Sequence, residues 1–215
     1  CAFLAGEAQR RLQRLGLEAS QLAAILVTHE HGDHIGGLSS LALRHRLAVF
    51  MTLGTRAAGK MHADVDVQVI DGHSPFAVDD LEIHPYPVPH DARQPCQYVF
   101  HDGQMRLGVL SDAGCITPHI RSMLAPCDGL AVEFNHDRDM LARGPYPQSL
   151  KTRVGGQLGH LSNCQSAGLL AEIGMARLQH LVLAHLSEQN NSQALARQAA
   201  ATALDVDEDL SLITI

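Results

Sequence analysis

No apolar run in the chain approaches the ~20 residues that a membrane-spanning helix needs, so that kind of anchor is excluded. No CxxC pair occurs among its five cysteines, Cys1, Cys96, Cys115, Cys127 and Cys164. An odd number without paired spacing argues against a disulfide framework and against a thiolate zinc site, and suits free thiols in a reducing cytoplasm. Residues 1–16 form an amphipathic, Arg-bearing stretch rather than a charged end followed by an apolar core, and do not read as an export signal. Excess positive charge is lacking too: a formal net charge of −7 argues against a generally basic, DNA-coating surface, although carboxylates gathered around a metal can mask a local basic groove. Repeats, low-complexity tracts and linkers are absent. With 215 residues at 46% hydrophobic composition, one well-buried core and a single domain over 1–215 are expected.

Histidine, by contrast, is abundant: fourteen occur, clustered near acids. Residues 28–37 read THEHGDHIGG and follow the apolar run Ala23 to Val27. Alternation places His29 and His31 on one side of an extended segment, and the turn that follows delivers Asp33 and His34 to a neighbouring point, so two adjacent cations can be served. Together with Glu30, these five titratable side chains repel one another and compete for water unless a cation neutralises them.

In chain order, the spacing predicts a helix over Leu4 to Leu15, a strand over Ala23 to Thr28, a helix over Leu38 to His45 and a strand over Leu47 to Thr52. A short helix from Thr55 to Met61, a strand from Val65 to Ile70 and proline-broken β structure from Phe76 to Val88 come next. Asp102-Gly103 turns a hairpin between Tyr98 to His101 and Met105 to Leu110, and Thr117-Pro118 caps a helix running to Leu124. Strands at Gly129 to Phe134, Leu181 to Ala184 and Leu210 to Ile215 are interleaved with helices at Ser162 to Ile173 and Ser192 to Ala203. This order suggests two sheets packed face to face with helices outside. His90, Asp112 and His185 each follow a predicted strand, where a site can be assembled from distant sequence. Taken alone, each is as readily a turn or surface residue; with the first cluster they complete seven ligands, about what two metals require.

The HxHxDH motif, a His about sixty residues later, an Asp about twenty beyond it and a final His near the end resemble the metallo-β-lactamase fold superfamily. The resemblance covers nearly the whole chain and implies an α/β (α+β) protein, the αββα four-layer sandwich, with a binuclear site at one edge of its sheets. It implies one metal on His29, His31 and His90, a second on Asp33, His34 and His185, and Asp112 bridging both. Members normally open with a β-hairpin before the segment that begins here at Cys1, so the N-terminal strands are expected to be missing from the first sheet.

HxHxDH does not select a substrate. Glu133-Phe134-Asn135-His136-Asp137, Gly144-Pro145-Tyr146-Pro147, Gly159-His160-Leu161-Ser162-Asn163 and His185 through Asn191 look like the YycJ/WalJ-type branch of bacterial metallo-hydrolases, which is similar to 5′-to-3′ DNA exonucleases. Gly159-His160 also resembles the His motif of RNase Z, whose partner Glu corresponds to Glu133. The resemblance implies metal-assisted phosphodiester hydrolysis on a single-stranded DNA end. Asp33 would accept or orient the proton of the attacking water, and His160, tuned by Glu133, would protonate the leaving 3′-oxygen. Lys151 and Arg153 are candidates for phosphate contacts, and Ser187 and Asn191 for a terminal phosphate. Mixed imidazole and carboxylate ligands suit two Zn²⁺ or two Mn²⁺, and Fe²⁺ fits the same donors. Two alternatives stand beside the nuclease: a small-molecule hydrolase of thioesters, lactones or cyclic phosphodiesters, and an inactive truncated metal-binding domain.

Overall fold

Local chemistry places the elements. In this computed structural model, which describes residues 5–174, 176–205 and 213–214, the chain divides into two compact units. The first comprises Cys1–Pro87 and Ala92–Cys96, and the second Val88–Asp91 and Gln97–Ile215.

The first unit opens with α1 (Ala5–Arg14), which has Glu7 in its first turn and Arg11 and Arg14 in its last, charges that complement the helix dipole. Strand β1 (Ala24–Leu26) leads into α2 (Gly32–Ile35) and α3 (Leu38–His45). Strand β2 (Ala48–Thr52), α4 (Leu53–Ala58) and β3 (Val67–Ile70) follow, and the hairpin β4 (Phe76–Val78) to β5 (Leu81–Pro87) completes the unit. Strands β1, β2 and β3 pair in parallel, with Ile25 opposite Val49 and Val49 opposite Val67. Helical spacing lets α3 serve two apolar clusters at once. Leu38 and Ala42 pack with Val27, Val49, Met51 and Val65, while Leu41 joins Ala5, Ala19 and Leu47.

The second unit takes up β6 (Cys96–His101) from Gln97 on, and β6 and β7 (Arg106–Leu110) form an antiparallel hairpin with Phe100 opposite Leu107. Asp102 Oδ1 accepts from the Gln104 and Met105 amides, and Gly103 supplies the left-handed backbone of the turn at φ +95°. Helix α5 (Pro118–Leu124) is capped by Thr117, whose hydroxyl accepts from Ile120 N. Strand β8 (Gly129–Glu133) precedes α6 (Arg138–Arg143), α7 (Gln148–Val154) and α8 (Asn163–Ile173). Strand β9 (His180–Ala184), α9 (Gln193–Leu204) and the backbone of β10 (Ile213–Thr214) end the unit. Strands β7, β8, β9 and β10 run parallel, with Leu110 opposite Val132 and Val132 opposite Leu183. Their alternate residues Leu130, Val132, Leu181 and Leu183 are buried, with Leu169 and Leu170 of α8 and Ala196 and Ala200 of α9 also in the core.

Most predicted elements are present, with shifted ends. The helix expected at Thr55 to Met61 lies at Leu53–Ala58, because Thr52 takes the N-cap and accepts from Thr55 N. The strand expected from Val65 begins at Val67. Helices α6 and α7 were not anticipated. Asp137 caps the first, and Pro147 sets the entrance of the second, so the Gly144-Pro145-Tyr146-Pro147 segment is the short joint between two helices. Of the closing strand expected at Leu210 to Ile215, all but Ile213–Thr214 falls outside the described residues, as do Cys1 and the first residue of the expected opening helix. Cys96, Cys115, Cys127 and Cys164 are free thiols, and burial pushes Cys127 up to about 11, where it is unreactive at neutral pH. Among the described residues, no helix is long and apolar enough to cross a membrane.

Asp128 ties three strands together at their starts. Its carboxylate accepts from Arg106 N at 2.7 Å and from the Arg177 guanidinium at 3.0 Å, and its carbonyl accepts from Gln179 N at 2.7 Å. The Arg106 amide and Arg177 hold this carboxyl below the usual carboxylate range. A group whose pKa is depressed on folding stabilises above its unfolded value and loses that contribution as pH falls through the folded one. Asp128→Ala is therefore expected to lower the melting temperature by several degrees at neutral pH, with the gap from wild type closing in acid below about pH 4; a pH-independent gap in thermal melts would contradict this account.

Candidate metal centre

In the first unit the motif loop leaves β1 with its histidines already drawn together. Thr28 Oγ1 lies 3.0 Å from His29 Nδ1 and 3.1 Å from His34 Nδ1, and His29 Nε2 lies 3.0 Å from His31 Nδ1. The rings of His29 and His34 are 4.0 Å apart between centroids, and His29 has no solvent contact. Asp33 differs: its side chain is 61% exposed, with the carboxylate 3.6 Å from His34 Nε2. Glu30 is engaged elsewhere through one oxygen, its Oε1 accepting from Arg93 N at 2.7 Å.

The second unit assembles its group from the carboxyl ends of three neighbouring parallel strands. Asp112 follows β7, Glu133 closes β8 and His185 follows β9; their registers place these ends side by side. Asp112 and His185 both adopt left-handed backbone, at φ 52° and 57°. That conformation costs a non-glycine residue about 1 kcal/mol and turns each side chain back over the strand ends. The His185 carbonyl is held by Asn135 Nδ2 at 3.2 Å. His160 arrives on the loop after α7, with its amide donating to Val154 O at 2.8 Å.

Glu133 is fully buried, and both of its oxygens are used. Oε1 lies 2.7 Å from His160 Nδ1 and 2.9 Å from His185 Nδ1, while Oε2 accepts from Ala113 N at 3.1 Å and Leu161 N at 3.2 Å. Burial alone would raise its pKa, but the hydrogen bonds from His160 and His185 outweigh that and keep it low. The opposite balance holds for His160, where burial works against protonation but the Glu133 bond and charge, with Asp112, raise its proton affinity. Asp112 Oδ1 stands 3.6 Å from His160 Nδ1 and 3.5 Å from His185 Nδ1, and Oδ2 accepts from Ser111 Oγ at 2.6 Å. His90 packs edge-on to His160 with ring centroids 5.4 Å apart, and its Nδ1–H donates to Gly159 O at 3.1 Å. Burial lowers its pKa, opposed in part by Asp112. A neutral imidazole with Nδ1 fixed on a carbonyl presents Nε2 as the lone-pair nitrogen, the arrangement of a metal-ligating histidine.

Donor atoms of Asp112, Glu133, His160 and His185 all lie within 4.8 Å of one another. Two carboxylates and two imidazoles so close, with Asp112 and Glu133 out of water, form a donor set that suits a divalent cation. The candidate substrate contacts are more dispersed. Arg153 Nε pairs with Asp91 Oδ2 at 2.6 Å, and Lys151 Nζ donates to Ala142 O at 2.7 Å. Ser187 Oγ accepts from Asn190 N. Asn191 is 7% exposed, and its amide is spent on Phe134 O, Asn163 and Ser192 N, so it braces the loop from inside. Sequence reasoning passed over Ser111 and Thr28 as partners of ligand-type residues. Their signal was adjacency: a hydroxyl residue immediately before an acid or histidine at a strand's end.

A family model described as the beta-lactamase superfamily domain matches residues 2–186. The chain belongs to this superfamily. Within it, the chain is 33% identical to exodeoxyribonuclease YycJ of Bacillus anthracis, covering 95% of this chain and 79% of that protein. It is 31% identical to exodeoxyribonuclease WalJ of Streptococcus pneumoniae, covering 86% and 71%. The crystal structure of the metallo-β-lactamase fold protein YhfI from Bacillus subtilis superposes with a TM-score of 0.68 at 17% identity over 92% of this chain and 76% of YhfI, a likeness of fold. The fold class expected from the sequence, a mixed α/β metallo-β-lactamase fold, is thus the one observed.

Stripping divalent metal from this superfamily member with EDTA is expected to lower its melting temperature by about 5–10 °C, the shift for a ligand present at about a hundred times its Kd. Asp112→Asn should shrink that difference. Equal melting temperatures with and without metal in both proteins would argue against a bound cation.

Proposed function

We propose that this protein is a divalent-metal-dependent phosphodiesterase that removes nucleotides from the 5′ end of single-stranded DNA, acting as one domain in the cytoplasm. The observation that carries the reading is the Glu133–His160 contact of 2.7 Å beside Asp112 and His185, in a chain that matches the exodeoxyribonucleases YycJ and WalJ along most of its length. His29, His31, Asp33, His34, His90, Asp112 and His185 are assigned as the ligands of two cations, Zn²⁺ or Mn²⁺, with Fe²⁺ compatible with the same donors. Such cations, when bound, contribute Lewis acidity toward a phosphate oxygen and acidify water.

The remaining work falls to side chains. Glu133 fixes His160 through Nδ1, which leaves Nε2 as the nitrogen that presents a proton. The Glu133 bond raises the proton affinity of His160, which suits it to hand that proton to the departing 3′-oxygen. Asp33, whose carboxylate is the most exposed of the assigned ligands in its loop, is assigned to orient the attacking water. Lys151, Arg153 and Ser187 are assigned to the strand's phosphates, and Asn191, with its amide engaged internally, only to the loop that carries Ser187.

The test is cleavage of end-labelled DNA and RNA strands with added Zn²⁺ or Mn²⁺. Single-stranded DNA should shorten from its 5′ end, and EDTA should abolish the reaction. His160→Ala should lower kcat by about 10²–10⁴. Glu133→Gln should lower it comparably, because it removes the charge that raises the proton affinity of His160. Intact oligonucleotides alongside turnover of thioesters or lactones would transfer the assignment to a small-molecule hydrolase.

A further inference from the structure

Beyond the strand-end cluster, the second unit contains a cavity of about 470 Å³ between α6, α7 and the start of α8. Its lining includes His136, Arg138, Gln148, Lys151, Gln157 and Gln165. The volume lies within the range of small-ligand sites and exceeds what a lone ion needs. His136 is 2% exposed, yet its Nδ1 has no hydrogen-bond partner among the described residues. A buried polar nitrogen left unsatisfied costs about 1–3 kcal/mol, so the His136 ring is held in the wall at an energetic cost. Burial holds this imidazole down at about 4, which makes it a neutral hydrogen-bonding group at physiological pH.

Positive charge supplies the second observation. Arg138 reaches Ser162 Oγ through Nε at 3.3 Å, and Lys151 rests on the Ala142 carbonyl. Neither is paired with a carboxylate among the described residues, in contrast to Arg153, Arg143 and Arg121, which face Asp91, Asp139 and Glu172. The cavity is also wired to the cluster. Gln165 Nε2 donates to Gly114 O, two residues beyond Asp112, and Ser162 follows Leu161, whose amide is on Glu133. Gly155 also lines the cavity, and a Cβ built there would stand 4.0 Å from His136 Nε2, so a side chain at this position projects beside that ring.

Resting on the phosphodiesterase reading, we propose that this cavity holds one nucleotide of the substrate strand, its phosphate between Arg138 and Lys151 and its sugar and base against His136 and the glutamine amides. The site makes the enzyme bind a strand by a nucleotide adjoining the scissile bond, and so governs KM more than kcat.

Steady-state cleavage by the metal-loaded enzyme tests this. Arg138→Ala and Lys151→Ala should each raise KM about tenfold and flatten the dependence of log KM on log salt by about 0.7, while Arg121→Ala leaves both unchanged. Gly155→Leu, which narrows the cavity without altering charge, should also raise KM. If 5′-phosphorylated strands lose more than 5′-hydroxyl strands, the phosphate held is the terminal one; an equal loss makes it an internal one. Calorimetry with deoxyadenosine 5′-monophosphate supplies a readout independent of cleavage. Binding that disappears in both Ala variants but persists in Asp112→Asn supports the cavity even if no DNA is cut. Nucleotide binding and KM untouched by all three cavity variants would overturn the proposal, while wild-type cleavage would leave the nuclease reading intact.

Discussion

A carboxylate with no access to water must find donors for both oxygens or take up a proton. Glu133 finds four: two imidazoles on one oxygen and two backbone amides on the other. Those amides belong to Ala113, just past Asp112, and to Leu161, just past His160, so a single buried charge sets the paths of two chain segments as well as the orientation of two rings. The Ser166 hydroxyl on the Glu133 carbonyl anchors α8 to the same residue. The hydrophobic strands beneath supply rigidity, and Glu133 converts it into side-chain placement.

The same economy recurs at the strand starts and in the loops. Asp128 gathers β7, β8 and the approach to β9 at one end, and Glu133 gathers their continuations at the other. Asn191 and Asn163 exchange amide hydrogen bonds beneath the His185 loop, a buried polar pair that is fully satisfied. Polar residues that resembled candidate substrate contacts are in part the internal fittings that hold the loop in shape.

Much of this was legible in the sequence because it rests on local rules. The HxHxDH spacing, the Asp102-Gly103 turn and the Thr117-Pro118 cap each need only a few neighbouring residues to be read. Strand ends after buried runs located His90, Asp112 and His185, while Glu133 was reached only through the family resemblance. What escaped was whatever depends on tertiary partners. Helices α6 and α7, of six and seven residues, are too short to display periodicity and are defined by their caps and a proline joint. Nothing in the sequence distinguishes Asn191, turned inward, from Ser187 a few residues earlier, nor reveals that His136 Nδ1 would be enclosed with no hydrogen-bond partner among the described residues.

The left-handed backbone at Asp112 and His185 carries an evolutionary consequence. Glycine would relieve the local steric cost at either position, so a single substitution could yield a chain that folds more comfortably and has lost a candidate ligand. Stability and chemistry pull these two positions in opposite directions. A lineage relieved of its catalytic duty would be expected to drift first here, at the strand ends, while the apolar strands below remained recognisable.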